Sequence, residues 1–229
     1  MEKGEYMMSV DLIDSMGSDL TVVNAARVSF NKTVDNVSSG DERLIKFLAE
    51  HNHWTPFGHC TLQFRIKAPI FVARQLVKHQ VGLTWNEVSR RYVQDEPELY
   101  IPDVWRANPE NKKQGSSETE TIDWLLVKND IPGLPVTLAV EAVYESAVDL
   151  YNAMIESGVC AEQARMVLPQ GLMTEWYWTG SLYAFARVCN LRCAKDTQKE
   201  TREIAEQINE LAKMIFPISW KYLVGEKQI

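Results

Sequence analysis

Long apolar runs are missing from this sequence. No stretch approaches the ~18 apolar residues of a membrane-spanning helix, and the opening MEKGEYMMSVDLID lacks the apolar centre of a signal peptide. A cytoplasmic protein with no membrane partner is therefore expected. Cysteine is scarce too: Cys60, Cys160, Cys189 and Cys193 make no Cys-x-x-Cys pair, so free thiols are expected rather than a disulfide framework. Cys189 and Cys193, four apart on a predicted helix, read as core packing. An excess of basic charge is also lacking. The net charge is −7, which argues against general nucleic-acid binding, where Lys and Arg must neutralise phosphates. No GxGxxG turn, GxxxxGK[ST] loop or HExxH pair is present, so a Rossmann dinucleotide site, a P-loop and a zinc protease are excluded. His51, His53, His59 and His79 have no Cys or carboxylate spacing that would complete a metal site. No metal is expected.

What is present is a chain of 229 residues, 45% hydrophobic, with no Pro/Gly/Ser-rich linker to divide it. Residues 1–229 read as one domain, with surface loops at Asn31 to Glu42 and Ala107 to Thr121. Ser18-Asp19 can cap a helix through LTVVNAARVSF, and GDERLIKFLAEHN has helical spacing. HCTLQFRIKA alternates like a strand, with Cys60, Leu62, Phe64 and Ile66 on one face. After Pro69, IFVARQLVKHQV predicts a helix that stops at Gly82, and TWNEVSRRYV reads as extended. VTLAVEAVYESAVDLYNAMIESG predicts a long helix, AEQARMVL a short one, and LMTEWYWT a strand that alternates Trp176 and Trp178 against Tyr177. SLYAFARVCNLR and TQKETREIAEQINELAKMI predict two further helices, the second opening with a Thr197–Glu200 capping box. The class is α+β, with several long helices.

One stretch carries more chemistry than structure needs: VKHQVGLTWNEVSRRYVQDE, residues 77 to 96. From Arg65 to Tyr92 there are six basic residues (Arg65, Lys67, Arg74, Lys78, Arg90, Arg91) against one acid, Glu87. A positive island on an acidic protein suits a small anionic ligand. Helical spacing groups Gln75, Lys78 and His79, while extended spacing puts Glu87, Ser89 and Arg91 on one face and Asn86 and Arg90 on the other. Arg and Lys would fix a phosphate, and Gln, Ser and a carboxylate would read an edge with both donors and acceptors, such as a pyrimidine. The alternative is an internal ion-pair network between Glu87 and the arginines. Ser89 has no His base placed beside it by local spacing, so it reads as a binding residue.

The same stretch resembles the signature of the flavin-dependent thymidylate synthases, the ThyX family. That signature is Arg-His-Arg, seven residues, then Ser, with Asn-Glu before the Ser and Arg-Tyr after it. Here it stands as Lys78-His79-Gln80, eight residues, Ser89, with Asn86-Glu87 and Arg91-Tyr92. AARVSF (25–30), HWTPFGH (53–59), FRIKAPIFVARQ (64–75), ARMVLP (164–169) and NLR (190–192) resemble further family segments, in family order. The resemblance implies a ThyX-like fold with an antiparallel-rich sheet, assembled as a homotetramer with active sites at subunit interfaces. It also implies methylation of dUMP to dTMP with FAD as cofactor, methylenetetrahydrofolate as carbon donor and NADPH as hydride source. By position it implies dUMP contacts from Gln75, Lys78, Glu87, Ser89, Arg90, Arg91, Arg165 and Arg192. Arg192 would polarise the uracil. For the flavin it implies His53, Thr55, Lys78, His79, Gln80, Val81, Glu87, Ser181, Tyr183 and Arg187.

The chain also departs from the pattern. Lys78 and Gln80 replace two arginines, and the spacer is one residue longer. At the helix after LMTEWYWT the family shows Asn, Arg and Asn where Ser181, Tyr183 and Arg187 stand. Positions 183 and 187 are one turn apart, so Arg187 is expected to restore from one turn along the charge lost at Tyr183.

Overall fold

Alternation and helical spacing decide most of what folds where. In the computed structural model, residues 8–93, 95–109, 115–127 and 131–225 are described. The elements run β1 (Ser9–Met16), α1 (Asp19–Arg27), α2 (Ser39–Glu50), α3 (Thr55–Gly58), β2 (Thr61–Pro69), α4 (Ile70–Leu76) and β3 (Leu83–Glu87). They continue with β4 (Trp124–Val127), β5 (Ile131–Pro135), α5 (Val136–Glu156), α6 (Ala161–Ala164), β6 (Met173–Ser181), α7 (Leu182–Arg192), α8 (Lys199–Ile215) and α9 (Pro217–Leu223). The mixed helix-and-sheet class is as expected. No helix among the described residues is long and apolar enough to cross a membrane.

The chain divides into two compact units. The first, here the sheet unit, comprises Ser9–Ile66, Leu76–Asn86 and Trp176–Ile229. The second, the long-helix unit, comprises, among the described residues, Met8, Lys67–Gln75 and Glu87–Glu175. The division falls within β2, β3 and β6, three of the four strands in the sheet ordered β1-β2-β6-β3.

In the sheet unit, Leu182 N–H donates to the Cys60 carbonyl at 2.8 Å, and Gln63 Nε2 reaches Thr179 Oγ1 at 2.9 Å. Those pairs run in opposite chain directions, so β2 and β6 are antiparallel. Cys60, Leu62, Phe64 and Ile66 are all fully buried, as the alternation predicts. Trp176 and Trp178 are buried while Tyr177 is exposed, again as predicted. Trp85 of β3 stacks on Trp176 at 4.4 Å, and Phe185 of α7 meets Phe64 edge-on at 4.9 Å. Each such side chain contributes about 1.5–3 kcal/mol by leaving water. α8 closes the core with Thr201, Ile204, Ala205, Ile208 and Ala212, a single helical stripe.

Polar groups fasten these elements at their ends. Asp41, at the start of α2, takes the Arg27 guanidinium and the Ser38 hydroxyl and N–H. Those partners hold its carboxyl down at about 2, with the Ser38 side chain first, the Ser38 backbone next and Arg27 after it. Ser18 stands as the N-cap of α1, as the Ser18-Asp19 pair predicts, but Asp19 has a second partner. Its buried carboxylate accepts from Ile218 N–H at 3.0 Å and Ser219 N–H at 2.8 Å, capping α9.

In the long-helix unit, β4 and β5 form an antiparallel hairpin that leads into α5. α5 packs on β5, on α6 and on the 3-10 turn Arg165–Val167. Of its residues only Val136 and Tyr151 are buried, whereas Leu138 is 56% and Val143 63% exposed. At Gly171 a Cβ would lie 2.1 Å from the Tyr144 hydroxyl oxygen, so any larger residue there would have to turn the Tyr144 ring aside. The Gly171 carbonyl accepts from Tyr100 N–H at 2.8 Å, beside the Ile70-to-Leu172 and Phe71-to-Gln170 bonds.

Three local expectations are corrected. The helix expected over 70–81 ends at Leu76, because residues 77–82 form two turns closed by His79 N–H to Leu76 O at 3.0 Å and Leu83 N–H to Gln80 O at 3.2 Å. The extended run expected through Val93 ends at Glu87, because Tyr92 and Val93 N–H both fold back onto the Ser89 carbonyl. The Thr197–Glu200 capping box does not form: Thr197 Oγ1 donates to the Leu191 carbonyl, and Gln198 Nε2 reaches Glu200.

Candidate active site

The residues singled out in the sequence fall into two sets, one in each unit. In the sheet unit the set is built on the turn before β3 and on α7. Gly82, with φ +78°, lets the turn lie against α7; a Cβ there would meet Ala184 Cβ at 3.1 Å and Ser181 Oγ at 3.4 Å. Ser181 caps α7, accepting from Ala184 N–H at 3.2 Å, and its own N–H donates to the Gly82 carbonyl. The turn then presents Lys78, Gln80 and Val81 to solvent and sets His79 half-buried.

His79 meets the far end of α7. Arg192 Nε donates to His79 Nε2 at 3.0 Å. A guanidinium can only donate, so Nε2 is the acceptor and the ring proton resides on Nδ1. Burial, then the charges of Arg192 and Arg187, push the imidazole down to about 4. Arg187, one turn after Tyr183, thus lies within electrostatic reach of the ring. Burial also lowers the Arg192 pKa.

At the start of α7, Tyr183 faces Trp54, with ring centroids 6.2 Å apart. Trp54 is exposed and precedes Thr55, the first residue of α3. Sequence reasoning passed over Trp54, although it stands between His53 and Thr55 in the quoted HWTPFGH segment. His53 lies edge-on to Phe47 at 5.7 Å, with His51 at 6.3 Å.

In the long-helix unit the set is built on the turn after β3. Glu87 accepts from Thr174 Oγ1 at 2.8 Å. Arg91 Nε donates to Ser89 Oγ at 3.1 Å, and its Nη1 lies 3.9 Å from Glu162 on α6. Glu162 and Arg165 are three residues apart on one helical turn, so this contact brings Arg91 toward Arg165. Arg90 turns elsewhere and donates to the carbonyls of Asp95 and Glu96. Gln75 sits half-buried on α4. Thr174 and Glu162 carried no signal in the sequence, since both contacts are long-range.

Both sets combine guanidiniums with neutral donors, and the sheet unit adds the exposed ring of Trp54 and the half-buried ring of Tyr183. The model of the family "Thymidylate synthase complementing protein" matches residues 11–218. A flavin-dependent thymidylate synthase of Thermus thermophilus is 37% identical over 211 residues, covering 92% of this chain and 73% of that protein. The chain belongs to the flavin-dependent thymidylate synthase family. A family member from Thermosipho africanus is 37% identical over 202 residues, covering 88% of this chain and 84% of that protein. Among solved structures, the UMP/dUMP methylase PolB of Streptomyces cacaoi bound with 5-Br dUMP superposes with a TM-score of 0.79 at 29% identity, covering 95% of each chain. The same methylase bound with 5-Br UMP gives 0.78 at 27% identity. A flavin-dependent thymidylate synthase family fold therefore carries both residue sets.

Proposed function

We propose that this chain methylates dUMP to dTMP as a flavin-dependent thymidylate synthase in the cytoplasm. Methylenetetrahydrofolate supplies the one-carbon unit and NADPH the hydride, so that dUMP, methylenetetrahydrofolate, NADPH and a proton give dTMP, tetrahydrofolate and NADP+. The observation that carries the reading is Arg192, a half-buried guanidinium seated on a neutral ring nitrogen. A fixed cation of that kind stabilises negative charge developing on a uracil oxygen. Gln75, Lys78, Glu87, Ser89, Arg91 and Arg165 are assigned to dUMP, with carboxylate and hydroxyl reading the base and the cations holding the phosphate. Arg90, which donates to the Asp95 and Glu96 carbonyls, is assigned to presenting them.

The donor set of the sheet unit fits FAD. Trp54 and Tyr183 offer aromatic faces to a planar ring, and the start of α7, Lys78 and Arg187 suit its phosphates. Neutral His79, with Gln80, Val81, His53, Thr55, Ser181 and Glu87, is assigned to the flavin surroundings. When bound, FAD supplies a two-electron carrier between NADPH and the nucleotide. The exposed apolar face of α5 supports a homotetramer, with active sites completed at subunit interfaces. Arg187→Ala should weaken FAD retention while leaving dUMP binding in place. Unchanged retention would show that Arg187 does not substitute for the family arginine at position 183.

The deciding experiment is tritium release from [5-³H]dUMP, with FAD, NADPH and methylenetetrahydrofolate supplied in turn and together. Release that needs the folate and NADPH and yields dTMP supports the reading; no release from folded, flavin-loaded protein sinks it. A second reading, methylation of UMP, is favoured by the Streptomyces neighbour, which is a UMP/dUMP methylase seen with either brominated nucleotide. Comparing kcat/KM for the two nucleotides separates them.

A further inference from the structure

We propose that His79 is a positioning residue for Arg192, a neutral acceptor that orients the guanidinium without cancelling its charge. The inference deepens the functional reading above and rests on it, since it presumes that Arg192 faces the nucleotide base. Three observations carry it.

The first is the bond itself, Arg192 Nε to His79 Nε2 at 3.0 Å. Nε–H lies in the guanidinium plane. Holding it therefore fixes rotation about the bond to Cδ and aims the Nη1–Nη2 edge. The second is how the acceptor is anchored. The turn bearing His79 is closed by His79 N–H to Leu76 O and Leu83 N–H to Gln80 O. Through Gly82 it packs against Ser181 and Ala184 at the opening of α7. The same helix ends in Arg192, so one rigid element of about 15 Å carries both partners of the bond. The third is the choice of acceptor. A carboxylate at this position would bind the guanidinium more strongly but would neutralise it. An imidazole lone pair holds it and adds no opposing charge of its own. A protonated ring would instead set donor against donor and cation against cation. Burial and the flanking Arg192 and Arg187 charges oppose that state.

This role differs from that of a flavin contact, and two substitutions separate them. Gln carries a carbonyl oxygen about as far from the backbone as His Nε2, whereas the Asn oxygen stops near the Nδ1 position. In the FAD-loaded protein, His79→Asn should lower kcat roughly 10- to 100-fold, as misplacing a catalytic group by about 1 Å does. KM for dUMP and FAD retention should each stay within about twofold. His79→Gln should recover most of that loss. Equal losses in both variants, or losses that track flavin retention, would overturn the proposal and leave His79 as a flavin contact.

A ligand-free measurement adds an independent arm. Long-range ¹H–¹⁵N correlation on histidine-labelled protein should show His79 as the Nδ1-protonated neutral tautomer at neutral pH. The Nε2-protonated tautomer or an imidazolium would also overturn it. If the parent chain makes no dTMP while the Nδ1 tautomer is present, the functional reading fails and the His79–Arg192 bond stands as a structural contact only.

Discussion

The two units fix their chemistry in different ways. In the sheet unit, His79 and Arg192 are locked by elements whose own core is complete: α7 lies between fully buried Phe64 and α8, and the turn before β3 is seated on Gly82. In the long-helix unit, Arg91 is held by one hydroxyl, the face of exposed Tyr92 and one distant, exposed carboxylate, while α5 leaves Leu138, Val143 and Leu150 in solvent. Side chains that polarise a reacting ring need a rigid seat. Side chains that clasp a flexible phosphate can be positioned as the ligand arrives.

The largest effect expected from breaking this contrast is on catalysis. Arg192→Ala should lower dTMP formation by about 10²–10³, the loss typical of removing one electrostatic stabiliser, with circular dichroism unchanged. Next in size is the rigid seat itself. In Gly180→Ala the new Cβ would stand 2.4 Å from Leu83 Cδ2 and 2.5 Å from the Gly82 carbonyl oxygen. We expect a loss of about 1–3 kcal/mol, read as a lower urea midpoint. A wild-type midpoint would mean that the turn yields cheaply.

Acid should act more gradually, and first on the sheet unit. His79 is held at about 4 against an ordinary 6.5, so between those values the unfolded chain binds a proton that the folded chain refuses. Stability falls as pH drops through that window. Asp41, at about 2 against 3.8, contributes stability that is full above 3.8 and lost as pH falls through about 2. His79→Gln should flatten the first limb and Asp41→Asn the second in pH-dependent urea titrations. A pH profile unchanged by either would contradict the assignment. The smallest effect on unfolding, within about ±0.5 kcal/mol, is expected for Leu138→Glu on the open face of α5. Its sedimentation velocity should nonetheless report a smaller assembly than that of the parent chain.

Much of this was legible in the residues. β2, β6, α7 and α8 follow from alternation or helical spacing because each buries one face, and burial is what periodicity encodes; α5 shows the helical spacing although only Val136 and Tyr151 of it are buried. The stretch that carries the chemistry was read less well. A helix was expected to run on to Gly82, yet it stops at Leu76, since the turn's bonds to its own carbonyls and its seat on α7 outweigh the local preference of Val77, Lys78 and His79. The groupings of Gln75 with His79 and of Glu87 with Arg91 assumed regular periods that end before His79 and before Arg91. The names of the site residues came from a motif. Their partners, Arg192 for His79, Thr174 for Glu87 and Glu162 for Arg91, lie about 70 to 110 positions away, and no local pattern announces a contact of that range.

The Asp19 cap on α9 bears on how the protein is made. Its carboxylate waits for the N–H groups of Ile218 and Ser219, about two hundred residues downstream. During synthesis, at about 5–20 residues per second, that wait lasts about 10 seconds or more. Until then a charge destined for burial stays hydrated, and α1 cannot settle into its final place. The sheet unit thus closes late, with the arrival of α9 as its last stitch, and a nascent chain halted before residue 218 keeps Asp19 in water.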